Sequence, residues 1–166
     1  MFRKMRRFKQ QLTNEECIAI MKNENYGVLA LYGDEGYPYS VPVNYVYSNG
    51  KIYFHSAKSG HKVYAALNNE KVSFCIVEKS EVVPEEYTCF YKSVIIFGKI
   101  KRIEEAEAIT SALYKEAGNF RPGFEKEREE VINRELPNVA VFEITIEHMT
   151  GKQSMNFVKD NMQERY

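Results

Sequence analysis

The densest group of side chains able to do chemistry in this sequence is the run His55-Ser56-Ala57-Lys58-Ser59-Gly60-His61-Lys62. Ser56 and Ser59 can donate hydroxyl hydrogen bonds, Lys58 and Lys62 carry fixed positive charge, and His61 adds a further donor. If a helix starts after Gly60, its first amides are unpaired and its dipole presents a positive end at the same place. A terminal phosphate would satisfy all of these groups together. A solvated basic turn capped by Ser59 fits the same spacing equally well. With one glycine and no G-x-x-x-x-G-K pattern, the run does not predict a nucleoside triphosphate site.

Other chemistries find little support. His55, His61 and His148 are the only histidines, and neither H-x-x-x-H nor H-E-x-x-H occurs, so no metal site is expected. No Ser-His-Asp or Cys-His set can be assembled, and the carboxylates cluster on helix faces where solvation explains them. Cys17, Cys75 and Cys89 are odd in number and form no C-x-x-C pair, which reads as reduced packing thiols. His55 ends a predicted strand, on the side of Ile52 or of Phe54 depending on the local bulge, and a lone histidine there is ordinarily structural. The twelve tyrosines and ten phenylalanines are mostly core and interface material. Tyr45, beside Asn44, can also flank a planar ring, although the core is the favoured place for it.

The elements around these residues follow from pattern. Thr13 and Glu16 match a capping box, and Ile18, Ile20 and Met21 continue a first helix to about Asn23. Tyr26 to Tyr32 and Tyr37 to Tyr47 read as a hairpin around Gly33-Asp34-Glu35-Gly36, with Pro38 and Pro42 placing the second strand at an edge, at a bulge or beside a ligand. Asn49-Gly50 predicts a tight turn into Lys51 to His55. A helix over Gly60 to Glu70, a buried strand over Lys71 to Lys79, a loop over Ser80 to Glu86 and a long strand over Tyr87 to Ile103 follow, with Gly98 marking a bend. Helical spacing covers Glu104 to Ala117 and Phe124 to Leu136, broken by the Pro and Gly of 118–123, and a last strand covers Val139 to Glu147 before a polar tail. About six strands in an antiparallel meander with a return strand predict a mainly β protein, a closed or partly open antiparallel barrel with peripheral helices.

Length and composition set the outer bounds. At 166 residues the chain is expected to form one domain, with a basic leader over 1–10 and a polar tail over 153–166. Lys plus Arg and Asp plus Glu both total 23, so no field of one sign draws the whole protein to nucleic acid or membrane. The leader lacks the apolar run of a secretory signal and no window is long enough to span a membrane, which predicts a cytoplasmic protein. An unstructured, solvated leader is favoured over a nucleic-acid-binding arm.

Four ordered segments are informative together: Tyr39-Ser-Val-Pro-Val-Asn-Tyr-Val46, Tyr53-Phe-His-Ser-Ala-Lys-Ser-Gly-His-Lys62, Tyr91-Lys-Ser-Val-Ile-Ile-Phe-Gly-Lys99 and Met149-Thr-Gly-Lys152. Across Tyr26 to Lys152 the chain resembles the pyridoxamine 5′-phosphate oxidase-like split barrels, most closely the Nim-type 5-nitroimidazole reductase branch. The resemblance implies FMN held between two protomers of a homodimer. It places the phosphate at Ser56, His61 and Lys62, with backbone help near Ala57 and Lys58. It lays the isoalloxazine edge along Pro42, Val43, Asn44 and Tyr45, and Ser93 matches a further flavin contact. His55 aligns with a histidine implicated in substrate chemistry in the Nim branch, which makes it the candidate catalytic residue. The implied activity is reduction of a small molecule, such as a nitro-compound, by a reduced nicotinamide; a non-catalytic flavin- or haem-binding barrel is the alternative. Ser40 stands where the oxidases carry a basic flavin contact, and no Arg- and His-rich tail follows Lys152, so vitamin B6 synthesis is not expected.

Overall fold

The computed structural model describes residues 1–105, 108–114 and 123–158. The first helix, α1 (Asn14–Asn23), starts at the predicted capping box: the Thr13 amide donates to the Glu16 carboxylate at 2.6 Å, and the Glu16 amide donates to the Thr13 hydroxyl at 3.2 Å. The strands are β1 (Tyr26–Tyr32), β2 (Pro38–Asn44), β3 (Val46–Ser48), β4 (Lys51–Ala57), β5 (Lys71–Val83), β6 (Thr88–Ile103) and β7 (Val139–Gln153). Further helices include α2 (His61–Asn68), α3 (108–114) and α4 (Glu125–Glu135). All seven strands form one antiparallel sheet in the order β2-β1-β5-β6-β7-β4-β3.

Local chemistry accounts for much of this. The β3–β4 turn is the predicted Asn49-Gly50, with φ of 51° and 76°, values that asparagine tolerates and glycine adopts freely. Pro38 and Pro42 lie on β2, at the sheet edge, where a missing amide breaks no inner ladder. The bend expected at Gly98 coincides with a register shift between Phe97 and Gly98, and a Cβ there would press on the Thr145 carbonyl.

The structure corrects four expectations. Residues 80–83 are strand, because Glu81, Val82 and Val83 continue to pair with Phe90, Cys89 and Thr88 beyond a bulge at Val77/Lys79. The tail from His148 to Lys152 is also strand, paired with β6 from Phe97 back to Ser93. The strand predicted over Tyr37 to Tyr47 is interrupted at Tyr45, whose amide turns to the Asn25 carbonyl at 3.0 Å. The leader is partly packed: Phe2 stacks on His148 with centroids 4.4 Å apart, Gln10 is buried, and Gln11 bridges to Lys152. Of the helix expected over Glu104 to Ala117, 106–107 and 115–117 lie outside the described residues, as do 118–122 and 159–166. Among the described residues no helix is long and apolar enough to cross a membrane.

Two apolar clusters follow from strand alternation. Leu29, Phe54, Phe74, Ile96, Phe142 and Ile144 point inward and are closed over by Cys17, Ile20 and Met21 of α1 and Val63 and Ala66 of α2. Burial, assisted by Glu16 and Glu15, pushes the Cys17 thiol up to about 11, which keeps it protonated and unreactive. On the other face, Ala112 and Leu113 of α3 and Ile132 of α4 cover Val141 and Ile103.

Beside this outer cluster, Glu143 on β7 is 6% exposed and sits between Tyr53 of β4 and Lys101 of β6. Its carboxylate accepts from Lys51 Nζ at 3.0 Å and lies 3.6 Å from Lys101 Nζ. Burial raises its pKa, but the Lys51 hydrogen bond and charge, with Lys101 and Tyr53, outweigh burial and hold it below the usual carboxylate value. A depressed folded-state pKa gives stability that is present above the unfolded pKa and lost as pH falls through the folded one. Glu143→Gln should therefore cost about 1–2 kcal/mol at pH 7, discounted because Lys51 can resolvate. In urea melts, the gap between wild type and variant should close as pH is lowered to about 3; a gap independent of pH would reject the ion-pair account.

Candidate functional site

The turn from β4 into α2 is built around glycine. Gly60 is the N-cap residue of α2, with φ of 120°, a conformation that L side chains rarely adopt. No side chain caps the helix, so the alternative of a turn capped by Ser59 is not what forms. Gly60 accepts from the Val63 amide at 3.0 Å and the Tyr64 amide at 3.1 Å, leaving the His61 and Lys62 amides at the open, positive end of the helix.

Lys62 reaches back from this first turn toward the barrel mouth. Its ammonium lies 5.9 Å from the centre of the Phe54 ring, no described carboxylate pairs with it, and burial lowers its pKa. A lysine that has lost water and gained only a weak ring contact is an electrostatic liability unless an anion joins it. Ser56 points inward beside Phe54 and is buried, its hydroxyl donating to the Ala57 carbonyl at 3.0 Å. Ala57, Lys58 and Ser59 are exposed on the rim. The structure thus brings Ser56, Ala57, Lys58, Lys62 and two free amides to one mouth, with the donors an anion requires.

His61 is engaged differently. Its ring lies on Tyr39 of β2, with centroids 4.0 Å apart and planes at 17°, and its Nε2 is 3.5 Å from the Asp34 carboxylate in the β1–β2 turn. Sequence reasoning missed Tyr39 and Asp34, because nothing local marks a contact made across the barrel mouth.

The free edge of β2 lies on the same side of the molecule. β2 bonds only to β1, and its other edge approaches β4 across the split. Pro42 and Asn44 point outward, and Asn44 Nδ2 donates to the Asn25 carbonyl at 3.2 Å. The side chains of Val43 and Tyr45 are buried. The Val43 side chain is in the core, and the Tyr45 ring is fully buried edge-on to Phe74, its hydroxyl donating to the Met21 carbonyl at 3.2 Å. Tyr45 is therefore a core residue whose side chain does not flank a ring, and burial pushes its phenol well above the usual value. Any contribution from Val43 or Tyr45 has to come from the backbone.

His55 and Ser93 lie elsewhere. His55 is exposed on the face opposite Ile52, Phe54 and Ser56, directly across from Val141, so neither inward alternative holds. Ser93 faces outward between Val77 and Lys152. β7 pairs Ser56 at Ala140 but Ser93 at Lys152, twelve residues further on. Measured along β7, roughly 40 Å of strand separates the two pairings. Ser93 instead shares the outer face with Pro42 and Asn44, where the row Pro42, Val28, Cys75, Ile95, Thr150 crosses five strands.

This architecture is an antiparallel split barrel that sets the uncapped start of α2 and Lys62 near a free strand edge. The chain belongs to the pyridoxamine 5′-phosphate oxidase family, whose profile matches residues 13–153. No curated protein matches it. Among solved structures it is similar to a protein of Bacteroides thetaiotaomicron provisionally assigned to 5-nitroimidazole antibiotic resistance. Identity is 24%, coverage is 86% of each chain, and the TM-score is 0.71. A FAD-binding protein of Mesorhizobium loti is 24% identical over 87% of this chain and 96% of that one, with a TM-score of 0.61. A flavocytochrome of Azotobacter vinelandii is 16% identical over 91% of this chain and 72% of that one, with a TM-score of 0.76. At these identities the likeness speaks for the fold.

Proposed function

We propose that the chain is an FMN-binding oxidoreductase that works as a homodimer, reducing a small molecule such as a nitro-compound at the expense of a reduced nicotinamide. The observation that carries this reading is Lys62, half-buried over the Phe54 ring and without a carboxylate partner among the described residues, at an uncapped helix start. A phosphate dianion there would restore its lost charge partner and accept from the amides of residues 61 and 62. Ser56 can join by swinging its hydroxyl from the Ala57 carbonyl, while Lys58 and Ala57 border the same mouth. The free edge of β2 at Pro42, Val43 and Asn44 supplies unpaired backbone for a flat polar ring edge, and the missing Pro42 amide leaves room for one. A terminal phosphate favours FMN over its adenylated form, although structural relatives are described as FAD-binding.

The outer sheet face supports the homodimer. Val77, Ile95 and Phe97 are 52%, 41% and 39% exposed in neighbouring positions, outside the cluster that α3 and α4 form among the described residues, with Phe2 stacked on Phe97. Such a face is a natural seat for a second copy, and Ser93, on that same outer face, would meet the partner's flavin edge across it.

Flavin, when bound, supplies hydride and electron transfer between nicotinamide and substrate. The chain's residues hold the phosphate, orient the ring and exclude water. His55 serves as proton donor in this reading only through its outward-facing ring. His55→Ala should lower turnover and leave FMN bound; unchanged turnover would remove the role. Steady-state NADH oxidation with nitro-acceptors tests the activity itself. FMN bound without turnover would leave a flavin carrier, not an enzyme.

A further inference from the structure

We infer that His61 is a positioning residue: it clasps the β1–β2 hairpin to the start of α2 and so fixes the distance between the anion site and the free edge of β2. The inference rests on the flavin reading above for its consequence, but not for its geometry. Two contacts from one ring join the two elements. The imidazole lies flat on Tyr39, three residues before Pro42 on β2, and Nε2 reaches the Asp34 carboxylate in the turn before that strand. The hairpin neck is closed on the same spot. Gly33 donates its amide to the Tyr37 carbonyl at 2.9 Å, and a Cβ on Gly33 would sit 2.9 Å from Tyr39 Cβ and 3.6 Å from His61 Nε2.

The charge arrangement points the same way. Lys62, the next residue, has no carboxylate partner and faces the barrel mouth, whereas His61 already has one in Asp34. A group with a carboxylate on its outer nitrogen and an aromatic face against its ring is spent on holding protein to protein. The anion is left to Lys62, Ser56 and the amides. A ligand that touches both the cradle and the β2 edge gains from their being held at a fixed separation, because its second contact is then made without ordering the hairpin. A ligand touching only the edge gains little.

Two substitutions, one that keeps a ring and one that removes it, separate a clasp from a phosphate ligand. His61→Phe keeps a flat ring for Tyr39 and removes every hydrogen-bonding atom; His61→Ala removes the ring. We expect H61F to hold FMN within about threefold of wild type and H61A to lose tenfold or more, with riboflavin, which lacks the phosphate, changed less than threefold by either. Tyr39→Ala should behave as H61A does. If H61F is as weak as H61A for FMN, His61 is a phosphate ligand and the clasp is wrong; if neither is weakened, it has no role in binding. Amide exchange in ligand-free protein tests the clasp without flavin: the Gly33 and Tyr37 amides should be protected in wild type and H61F and opened in H61A. Equal protection in all three would overturn the clasp even if FMN binds. Protection lost only in H61A, in a protein that binds no flavin, would uphold the clasp and fail the cofactor reading instead.

Discussion

Lys62→Met should weaken FMN binding by roughly 10- to 150-fold, the equivalent of losing a charge-assisted contact of about 1.5–3 kcal/mol. The same substitution should leave the ligand-free protein as stable as wild type or more so. Both directions come from one fact, that burial has lowered the Lys62 pKa with no carboxylate to compensate. A lysine whose folded-state pKa is depressed below its unfolded one costs stability at every pH below the folded value, and the cost fades as pH rises through it. Methionine keeps the stem's packing beside Phe54 and removes the stranded charge. An ordinary structural lysine would behave oppositely, losing stability on substitution with no effect on ligand. Fluorescence titration with FMN and a urea melt of the ligand-free variant read the two signs. A destabilised variant that binds FMN normally would reject the anion site.

Ile95→Glu should halve the mass in solution and weaken FMN binding together. Ile95 is on the uncovered outer face of β6, opposite Cys75 and Thr150 and one row from Ser93. In an isolated protomer it is exposed enough that a carboxylate is tolerated, so the fold and its melting temperature should change little. In a dimer seated on this face, the carboxylate would be buried without a partner, which should raise the dimer dissociation constant by about 100-fold or more. If Ser93 reaches the flavin from the partner, FMN affinity falls with the dimer. Light scattering with and without FMN reads both. A variant that stays dimeric would place the interface elsewhere; one that turns monomeric with full FMN affinity would show that each protomer binds alone.

The sheet was legible in the sequence where local chemistry dictates it. Thr13 and Glu16 place a helix start, Asn49-Gly50 places a turn, and Pro38 and Pro42 place an edge, because each acts within a few residues of itself. The strands that ran longer than expected are those whose polar residues pair across the sheet. Ser80 and Glu81, and His148 to Lys152, look like loop and tail until β6 supplies their partners. The site divided in the same way. Ser56 and Lys62 were legible as neighbours because they stand six residues apart around one glycine turn. Tyr45 was ambiguous because aromatic residues on strands serve cores and ligands alike; its buried ring and bonded hydroxyl decide for the core. The His61 contacts were invisible, since Tyr39 and Asp34 approach only once the hairpin folds back over α2.

The measurement that bears most directly on the central claim is the absorption spectrum of the purified protein, with any released chromophore identified by mass and the test repeated after adding FMN, FAD and riboflavin in turn to colourless protein. The account predicts oxidised-flavin bands, FMN as the released species, and tighter reconstitution by FMN than by riboflavin. Protein that takes up no FMN would contradict it, and preferential uptake of FAD would contradict the reading of the α2 turn as a terminal-phosphate site.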